Sequence, residues 1–326
     1  MIFSDSKWAE LCKNTQGLVP AKIGDDAWIL ITVSISRSTH ICPNFANIIF
    51  IKAATVAASP STEPLDEFYG YLTKHEPAFA TDASRNQLSV RFRDILLKLI
   101  TLVGAPQVLC VVMSLAAAEG HAAARSEKSS LNDKWYVLPF EQKNRVLQAC
   151  LTLFSHRKPG NLDVEALCKR GENTMKVIYG PYLLPKIFNT WGSHKEDVNL
   201  DETFAVYGLY LSDFEILTPL EAEAVVYATI SCLGLGGPGN WHLRGMGRML
   251  GARGSDGDSA EEREVKCQLN NLREAVMSVV RFVGDEFAER ARLEKWATVE
   301  SMLDQFGGWG EDAWTRNDLP QKISLN

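Results

Sequence analysis

The amino-acid sequence predicts an all-α protein, because its long apolar patterns recur at helical spacing and are bounded by helix-capping residues. From Glu261 to Phe282, apolar side chains fall near one face of a helix. Thr218, Pro219 and Glu221 form an N-terminal signal: a capping hydroxyl, a proline that fits the first helical position and the acidic partner of a capping box. Gly234 follows as a helix end, so one helix is expected over 220–233.

Further segments are interpreted as helices in chain order. Trp28 to Ser34 is rich in Ile and Val and is too short for its pattern to separate a buried helix from a strand; we interpret it as a buried helix. Asp163 to Tyr179 is amphipathic and is expected to end at Gly180. The stretch from Gly236 to Gly239 is expected to form a turn, after which Trp241 to Leu250 is helical.

The chain of 326 residues contains a weak internal repeat, which suggests that its length comes from a duplicated unit. A basic, acidic and apolar run begins at Arg93 and reaches Val103-Gly104, and a similar run begins at Arg273 and reaches Val283-Gly284. Each run is preceded by an apolar helix that begins with acidic residues. The pattern predicts two tandem pseudo-repeats packed as one unit. The expected divisions are an N-terminal helical half over 1–126, a C-terminal helical half over 135–306 and an irregular surface tail over 307–326. Trp309 and Trp314 are the candidates for attaching this tail to the rest of the protein.

Composition excludes several classes of protein. Hydrophobic residues make up 46% and charged residues 23% of the chain, which is typical of a globular protein. The net charge of −6 gives no general attraction to nucleic acid or to an anionic membrane, so neither is expected as a partner. The seven cysteines are scattered without a C-x-x-C pair, and the histidines are isolated, so neither a disulfide framework nor a metal site is predicted.

One segment needs a test as a membrane span. Leu99 to Ala118 carries no charge and is long enough to cross a bilayer. Gly104 and Pro106 interrupt it, so we interpret it as two short core helices rather than one spanning helix. The N-terminus resembles neither a secretory signal nor a transit peptide. An intracellular, cytoplasmic location is therefore expected, with mitochondria and peroxisomes left open.

The residues that can support chemistry lie on one predicted helix–turn–helix. Glu223 on the first helix and His242 on the second can converge across the glycine-rich turn, where they would supply a base and an acid. Trp241 and Arg244 flank the histidine on the second helix and are candidates for substrate binding. The guanidinium group of Arg244 is a candidate for binding a substrate carboxylate.

Two tyrosines are further candidates for the site, and each charged candidate also has a structural interpretation. Tyr210 and Tyr227 can add hydroxyl groups to the same pocket and are further candidates for substrate binding. Each charged candidate also has a purely structural interpretation. Glu223 can be a solvated charge in the first turn of a helix, His242 can cap and pack a helix, and Arg244 can belong to a solvated face.

These segments resemble the AhpD-like, or carboxymuconolactone decarboxylase-like, superfamily of all-helical proteins. The resemblance covers most of 85–118 and 170–285 and implies an AhpD-like fold of the longer eukaryotic, fungal type, for which a homo-oligomer is a candidate state. The segments that carry it, in order, are Arg93-Asp94-Ile95-Leu96-Leu97-Lys98, Leu102-Val103-Gly104-Ala105-Pro106, Ile178-Tyr179-Gly180, Tyr207-Gly208 and Leu217-Thr218-Pro219-Leu220-Glu221.

The resemblance also defines which chemistry to expect. In the redox members of the family a glutamate, a C-x-x-C pair and a histidine stand in fixed register; Glu223 and His242 keep the spacing, but Leu235 and Pro238 occupy the cysteine positions. Peroxidase chemistry needs a thiolate and a resolving thiol, so it is excluded. What remains is a cofactor-free decarboxylase, isomerase or related lyase acting on a small organic acid, lactone or secondary metabolite. The alternative is a non-catalytic scaffold or binding protein of the same fold.

Overall fold

A computed structural model of the chain describes residues 4–24, 26–38, 63–119, 163–283 and 296–310. Across these ranges the protein is 81% helical and 2% strand, which confirms the predicted all-α class. The described α-helices, numbered in chain order, are α1 (Asp5–Leu18), α2 (Ala27–Ser38), α3 (Glu63–His75), α4 (Asp82–Val103), α5 (Ala105–Ala118), α6 (Val164–Thr190), α7 (Lys195–Leu200), α8 (Pro219–Cys232), α9 (Gly236–Leu250), α10 (Ala260–Val283) and α11 (Val299–Phe306).

Five shorter or rarer elements also lie in the described ranges. A π-helix, Asp201–Leu211, continues directly from α7. Single turns of 3-10 helix lie at Pro77–Phe79 and Gly192–His194. Two short strands, β1 (Gly254–Ser255) and β2 (Gly308–Gly310), pair antiparallel.

The predicted helix starts follow their capping residues. At the beginning of α8, the Thr218 hydroxyl accepts the Glu221 N–H at 3.2 Å, and the Glu221 carboxylate accepts the Thr218 N–H at 2.7 Å. This is the capping box that the sequence predicts. The Ile- and Val-rich segment from Trp28 to Ser34 lies inside α2, so its interpretation as a helix is confirmed.

One predicted boundary is confirmed and another is wrong. Gly180, with a φ of 77° and a ψ of 165°, is not helical, so the helix that begins at Val164 breaks there as expected; a second helical segment follows as far as Thr190, and the two are numbered together as α6. The expected turn over 236–239 is instead the first turn of α9. The first N–H groups of a helix have no partner within it, so glycines and a proline cost little at these positions.

The two predicted halves share one hydrophobic core. Helix α2 packs against α8 and α10, and α4 also packs against α8. Arg91 of α4 strengthens this contact, because its guanidinium group donates to Asp26 at 2.9 Å and to Glu221 at 2.7 Å. The tandem repeat itself stays a prediction, and the expected boundaries at 126 and 135 lie outside the described residues.

The uncharged segment from Leu99 to Ala118 forms parts of two helices, as expected. Helix α4 ends at Val103, Gly104 adopts a φ of 91°, and α5 begins at Ala105. Val108 and Leu115 of α5 are buried in the core. A search of the described helices finds none whose length and apolar content would allow it to cross a membrane.

The beginning of the predicted irregular tail is ordered. Gly308–Gly310 forms strand β2 against β1. The side chain of Trp309, the middle residue of β2, is completely buried. Its indole ring packs against α9 at Gly247, where an added Cβ atom would lie 1.9 Å from the ring. Residues 308–310 are therefore a strand rather than irregular, and Trp309 holds them to the core, as one of the two residues expected to do so; the residues from 311 onward lie outside the described chain.

We expect Gly247→Ala to lower the free energy of unfolding by about 1–3 kcal/mol, because the new methyl group overpacks the Trp309 slot. Gly237→Ala on the same helix is the matched control, since a Cβ atom there meets nothing within 4 Å. Urea unfolding followed by circular dichroism measures both. Equal stability of the two variants would contradict the predicted clash.

Helix α6 and the π-helix approach each other through glycine. A Cβ atom on Gly171 of α6 would lie 2.1 Å from the Thr203 carbonyl oxygen, and one on Gly208 of the π-helix would lie 2.6 Å from the Leu167 carbonyl oxygen. Only residues without a side chain allow two backbones to come this close. The contact fixes the relative position of the two elements that carry Tyr179 and Tyr207.

Candidate acid–base site

Glu223 and His242 form a buried hydrogen-bonded pair. The Glu223 Oε1 atom lies 2.6 Å from His242 Nδ1, and the two residues are only 4% and 3% exposed. Helix α8 carries the glutamate and α9 carries the histidine. The chain reverses between the two helices at Gly234, whose φ of 73° suits a glycine. The convergence expected from the helix–turn–helix pattern is therefore present in the structure.

The carboxylate sets the orientation of the imidazole. An ionised carboxylate only accepts hydrogen bonds, so Nδ1 is the protonated nitrogen and Nε2 faces away from Glu223. The hydroxyl group of Tyr179 lies 3.4 Å from Nε2. In the neutral imidazole, Nε2 is an acceptor and Tyr179 is its donor.

A second tyrosine extends this chain of hydrogen bonds. The Tyr207 and Tyr179 hydroxyl groups form a hydrogen bond, and both residues are buried. The direction from Tyr207 to Tyr179 to His242 to Glu223 lets each group donate to the next. Burial raises the pKa of both phenols, and the negative charge of Glu223 acts in the same direction. Both hydroxyl groups therefore keep their protons at neutral pH.

Glu202 of the π-helix is a second carboxyl group whose pKa responds to His242. It is half-buried and precedes Tyr207 by five residues, about one turn of this wide helix. Burial raises the pKa of Glu202, Asp201 raises it further, and the charge of His242 opposes both. A carboxyl group with a raised pKa can act as a proton donor closer to neutral pH than an exposed one.

Trp241 is the predicted binding residue that lies at this site. Its ring stands edge-on to Tyr179 with centroids 6.0 Å apart, and the side chain is half-buried. Tyr179 also meets His242 edge-on at 5.8 Å. One tyrosine ring thus joins the tryptophan to the acid–base pair.

Three other predicted binding residues have different roles. The Tyr227 hydroxyl donates to the Ala297 carbonyl at 3.0 Å inside the main core, so this residue is structural. On the π-helix, Tyr207 forms a hydrogen bond with Tyr179, whose hydroxyl faces His242, whereas Tyr210 is only half-buried on another face. Arg244 donates to the Gly308 carbonyl at 3.2 Å and lies over the Phe306 ring at 5.1 Å. These contacts connect α9 to α11 and β2, and the binding of a substrate carboxylate by Arg244 stays a prediction.

The positions that would carry the family's cysteines bear no reactive thiol. Leu235 is exposed, and Pro238 lies in the first turn of α9. Cys232 lies on the other side of the turn, and burial raises the pKa of its thiol. A thiol of raised pKa is a poor nucleophile at neutral pH. Within the described ranges, no group of three or more His, Cys, Asp or Glu side chains could hold a metal ion.

Sequence reasoning missed Glu202, Tyr179 and Tyr207 as functional residues. A usable signal was present, because both tyrosines directly precede a glycine, in Ile178-Tyr179-Gly180 and in Tyr207-Gly208. A glycine beside an aromatic residue on two helices marks a place where the helices can approach closely. Glu202 gave no such signal, since an acidic residue near a helix start is common.

The comparisons with known proteins add no assignment. No family model, no curated protein and no solved structure matches this chain. The resemblance to the AhpD-like superfamily, and every role taken from it, therefore stays a prediction.

Proposed function

We propose that this protein is a cofactor-free acid–base enzyme of the decarboxylase, isomerase or related lyase type, with Glu223 and His242 as its catalytic pair. The observation that carries the proposal is the buried 2.6 Å contact between the carboxylate and the imidazole. A carboxylate that holds Nδ1–H makes Nε2 a better base and stabilises the imidazolium that forms on proton uptake. As part of the same proposal, the fold is AhpD-like and built from two tandem pseudo-repeats.

The tyrosines support proton transfer at a carbon next to a carbonyl group. Removal of such a proton, or loss of carbon dioxide beside it, leaves an enolate whose oxygen carries the negative charge. Once the substrate oxygen takes the place of His242 Nε2 as acceptor, the Tyr179 hydroxyl can donate to it, while Tyr207 donates to Tyr179 in a site of low polarity. His242 would accept or return the proton at the carbon, with Glu223 orienting the ring. The expected substrate is a small carbonyl compound or lactone, and the expected location is the cytoplasm.

The test is deuterium incorporation from heavy water. Purified protein is incubated with a small-metabolite extract in D2O, and mass spectrometry identifies metabolites that gain deuterium or lose carbon dioxide. We expect Glu223→Gln and His242→Ala each to slow this reaction by about a hundredfold or more, because general acid–base catalysis contributes that much. His194→Ala, an exposed histidine near the start of α7, should retain full activity. Full activity in either site variant would refute the proposal.

Loss of folding is separated from loss of chemistry by a milder variant. Tyr179→Phe keeps the buried ring and removes only the hydroxyl group that faces His242 Nε2 at 3.4 Å. We expect it to fold as the wild type does, by circular dichroism and thermal unfolding, and to react at least about tenfold more slowly. An unchanged rate would exclude Tyr179 from the reaction.

A binding protein without turnover is the second candidate. The observation that favours it is the enclosure of the pair: His242 is 3% exposed, and Tyr179 already faces its second nitrogen. A substrate would need to displace Tyr179 or react through it. If the extract shows no turnover, but the wild type retains a metabolite during gel filtration, the binding protein is the better description.

A further inference from the structure

The register of the π-helix ends at Tyr207, one residue before Gly208. In this kind of helix each carbonyl accepts the N–H group of the residue five positions later, and the Tyr207 carbonyl accepts that of Ser212 at 2.8 Å. The next N–H group, that of Asp213, donates instead to the Tyr210 carbonyl at 3.4 Å. The π-helical donor that would serve the Gly208 carbonyl is therefore used elsewhere, although Gly208 is buried.

Arg170 of α6 supplies donors to the Gly208 carbonyl. Its Nε atom donates to this oxygen at 2.8 Å, and its Nη2 atom donates to the same oxygen. Arg170 is only 9% exposed. A guanidinium group presents its N–H groups in a rigid planar fork, so it fixes both the position and the direction of the oxygen that it binds. The arginine thus holds the backbone of the π-helix at the residue that follows Tyr207.

The neighbouring residue in the chain, Gly171, brings the two backbones together at the same point. A Cβ atom on Gly171 would lie 2.8 Å from the Gly208 nitrogen. A glycine permits this approach, but the lack of a side chain does not itself attract the π-helix. Arg170 provides a charge-assisted hydrogen-bonded link across the contact.

The position of the π-helix determines what the Tyr207 hydroxyl group can reach. This hydroxyl forms a hydrogen bond with that of Tyr179, which lies 3.4 Å from His242 Nε2. Hydrogen bonds weaken steeply as their geometry departs from the ideal, and a misplacement of about 1 Å can slow an enzyme reaction by about a hundredfold. A small shift of the helix backbone would therefore be felt at the histidine.

We propose that Arg170 is a positioning residue of the acid–base site, because its hold on the Gly208 carbonyl fixes where the Tyr207 hydroxyl lies. From there the chain of hydroxyl groups leads to His242 through Tyr179. The inference rests on the proposed function in taking these hydroxyl groups as part of the reaction. Arg170 precedes Tyr179 by nine residues, about 13 Å along a helix axis, so it acts through the π-helix backbone.

Carbon-13 NMR tests the role of Arg170 without turnover. Tyrosine labelled at the ring carbon that bears the hydroxyl group reports the hydrogen bonds of each phenol, and Tyr179→Phe and Tyr207→Phe assign the two signals. We expect Arg170→Gln to move the Tyr179 signal in the same direction as Tyr207→Phe moves it, in samples that circular dichroism shows to be folded. Lys169→Gln removes an exposed positive charge from the same turn of α6 and is the matched control, which should move neither signal.

A conservative variant separates the forked donor from the charge. Arg170 has other interactions as well, and Arg170→Lys keeps the positive charge on which electrostatic ones depend. Its single ammonium group cannot reproduce the planar fork. We expect Arg170→Lys to move the Tyr179 signal in the same direction as Arg170→Gln, but by less. If Arg170→Gln does not fold, Arg170→Lys provides the comparison with Tyr207→Phe.

The D2O assay tests the same role in turnover. We expect Arg170→Gln to slow the reaction by about tenfold in the wild-type chain, but by less than about twofold in Tyr207→Phe, because both substitutions act on one hydrogen bond. A residue that only stabilises the fold would slow both chains by the same factor.

Two results would overturn the inference. One is a Tyr179 signal that stays in place in every Arg170 variant that folds, and the other is an equal effect of Arg170→Gln in the wild type and in Tyr207→Phe. The NMR comparison does not depend on a reaction. A shifted Tyr179 signal in a protein that turns over no metabolite would refute the proposed enzyme, while the control of the hydroxyl pair by Arg170 would stand.

Discussion

Replacement of Gly171 by Ala is expected to lower the free energy of unfolding by about 3 kcal/mol or more, at the upper end of overpacking effects. The added Cβ atom would lie 2.1 Å from the Thr203 carbonyl oxygen and 2.8 Å from the Gly208 nitrogen. Both atoms belong to the backbone of the π-helix. A side chain could rotate away from a new methyl group, but a helix backbone can escape only by moving as a whole.

That movement would also disturb the acid–base site. Helix α6 carries Tyr179 and the π-helix carries Tyr207, and their hydroxyl groups meet only while the two helices stay in contact. Separation would break this hydrogen bond and move Tyr179 relative to His242. We therefore expect Gly171→Ala to lose activity in the D2O assay as well as stability, even under conditions where it remains folded.

The control is a glycine whose added methyl group meets no neighbour. Gly70 is exposed in the middle of α3, and a Cβ atom there has nothing within 4 Å. Gly70→Ala should raise the free energy of unfolding by about 0.5–1 kcal/mol, because alanine is the better helix former. Urea unfolding measures both variants. If Gly171→Ala is as stable as Gly70→Ala, the close approach of the two helices is wrong.

The sequence was sufficient to predict structure where the interacting residues lie close together in the chain. Thr218, Pro219 and Glu221 stand within four residues, and their capping box depends on nothing distant, so the start of α8 was predictable. The convergence of Glu223 and His242 needs only two helices joined by a short turn. Both predictions hold because the interacting atoms are brought together by the chain immediately between them.

Contacts between distant segments were not predictable in this way. Arg244 has the same sequence context whether its guanidinium group faces a substrate or the Gly308 carbonyl, which lies 64 residues farther along the chain. Tyr207 rather than Tyr210 enters the site because the helix there is π-helical, and no propensity encodes that register. The ends of helices follow from residue type, whereas the face that a side chain presents follows from packing.

A buried ion pair supports the same part of the molecule and gives the second large prediction. The Lys98 ammonium group of α4 lies 2.9 Å from the Asp94 carboxylate and donates to the Asp213 carbonyl at 2.7 Å. The Lys98 side chain is 0% exposed and that of Asp94 is 3% exposed. Asp213 follows closely after the π-helix. Lys98 therefore connects the end of that helix to α4 through a charged group that is completely out of water.

Lys98→Met is expected to lower the free energy of unfolding by about 3–5 kcal/mol, the usual cost of removing one partner of a buried pair. Methionine fills a similar volume, so little of the loss comes from a cavity. It arises because the Asp94 carboxylate stays buried without its ammonium partner, and the Asp213 carbonyl loses a donor. Equilibrium unfolding in urea measures the change.

The comparison that decides the origin of this loss uses a second pair with the same spacing. Lys176 and Glu172 also stand four residues apart at 2.7 Å, but their side chains are 44% and 51% exposed. Lys176→Met should cost about 0.5 kcal/mol or less, because water screens and replaces the exposed contact. Adding Asp94→Leu to Lys98→Met should recover part of the lost stability, since the carboxylate that lost the Lys98 ammonium group is then absent from the interior. If the double variant is as unstable as Lys98→Met, the loss of stability comes from the Asp213 carbonyl. If Lys98→Met and Lys176→Met have equal effects, the buried Lys98–Asp94 pair contributes no more than a surface contact.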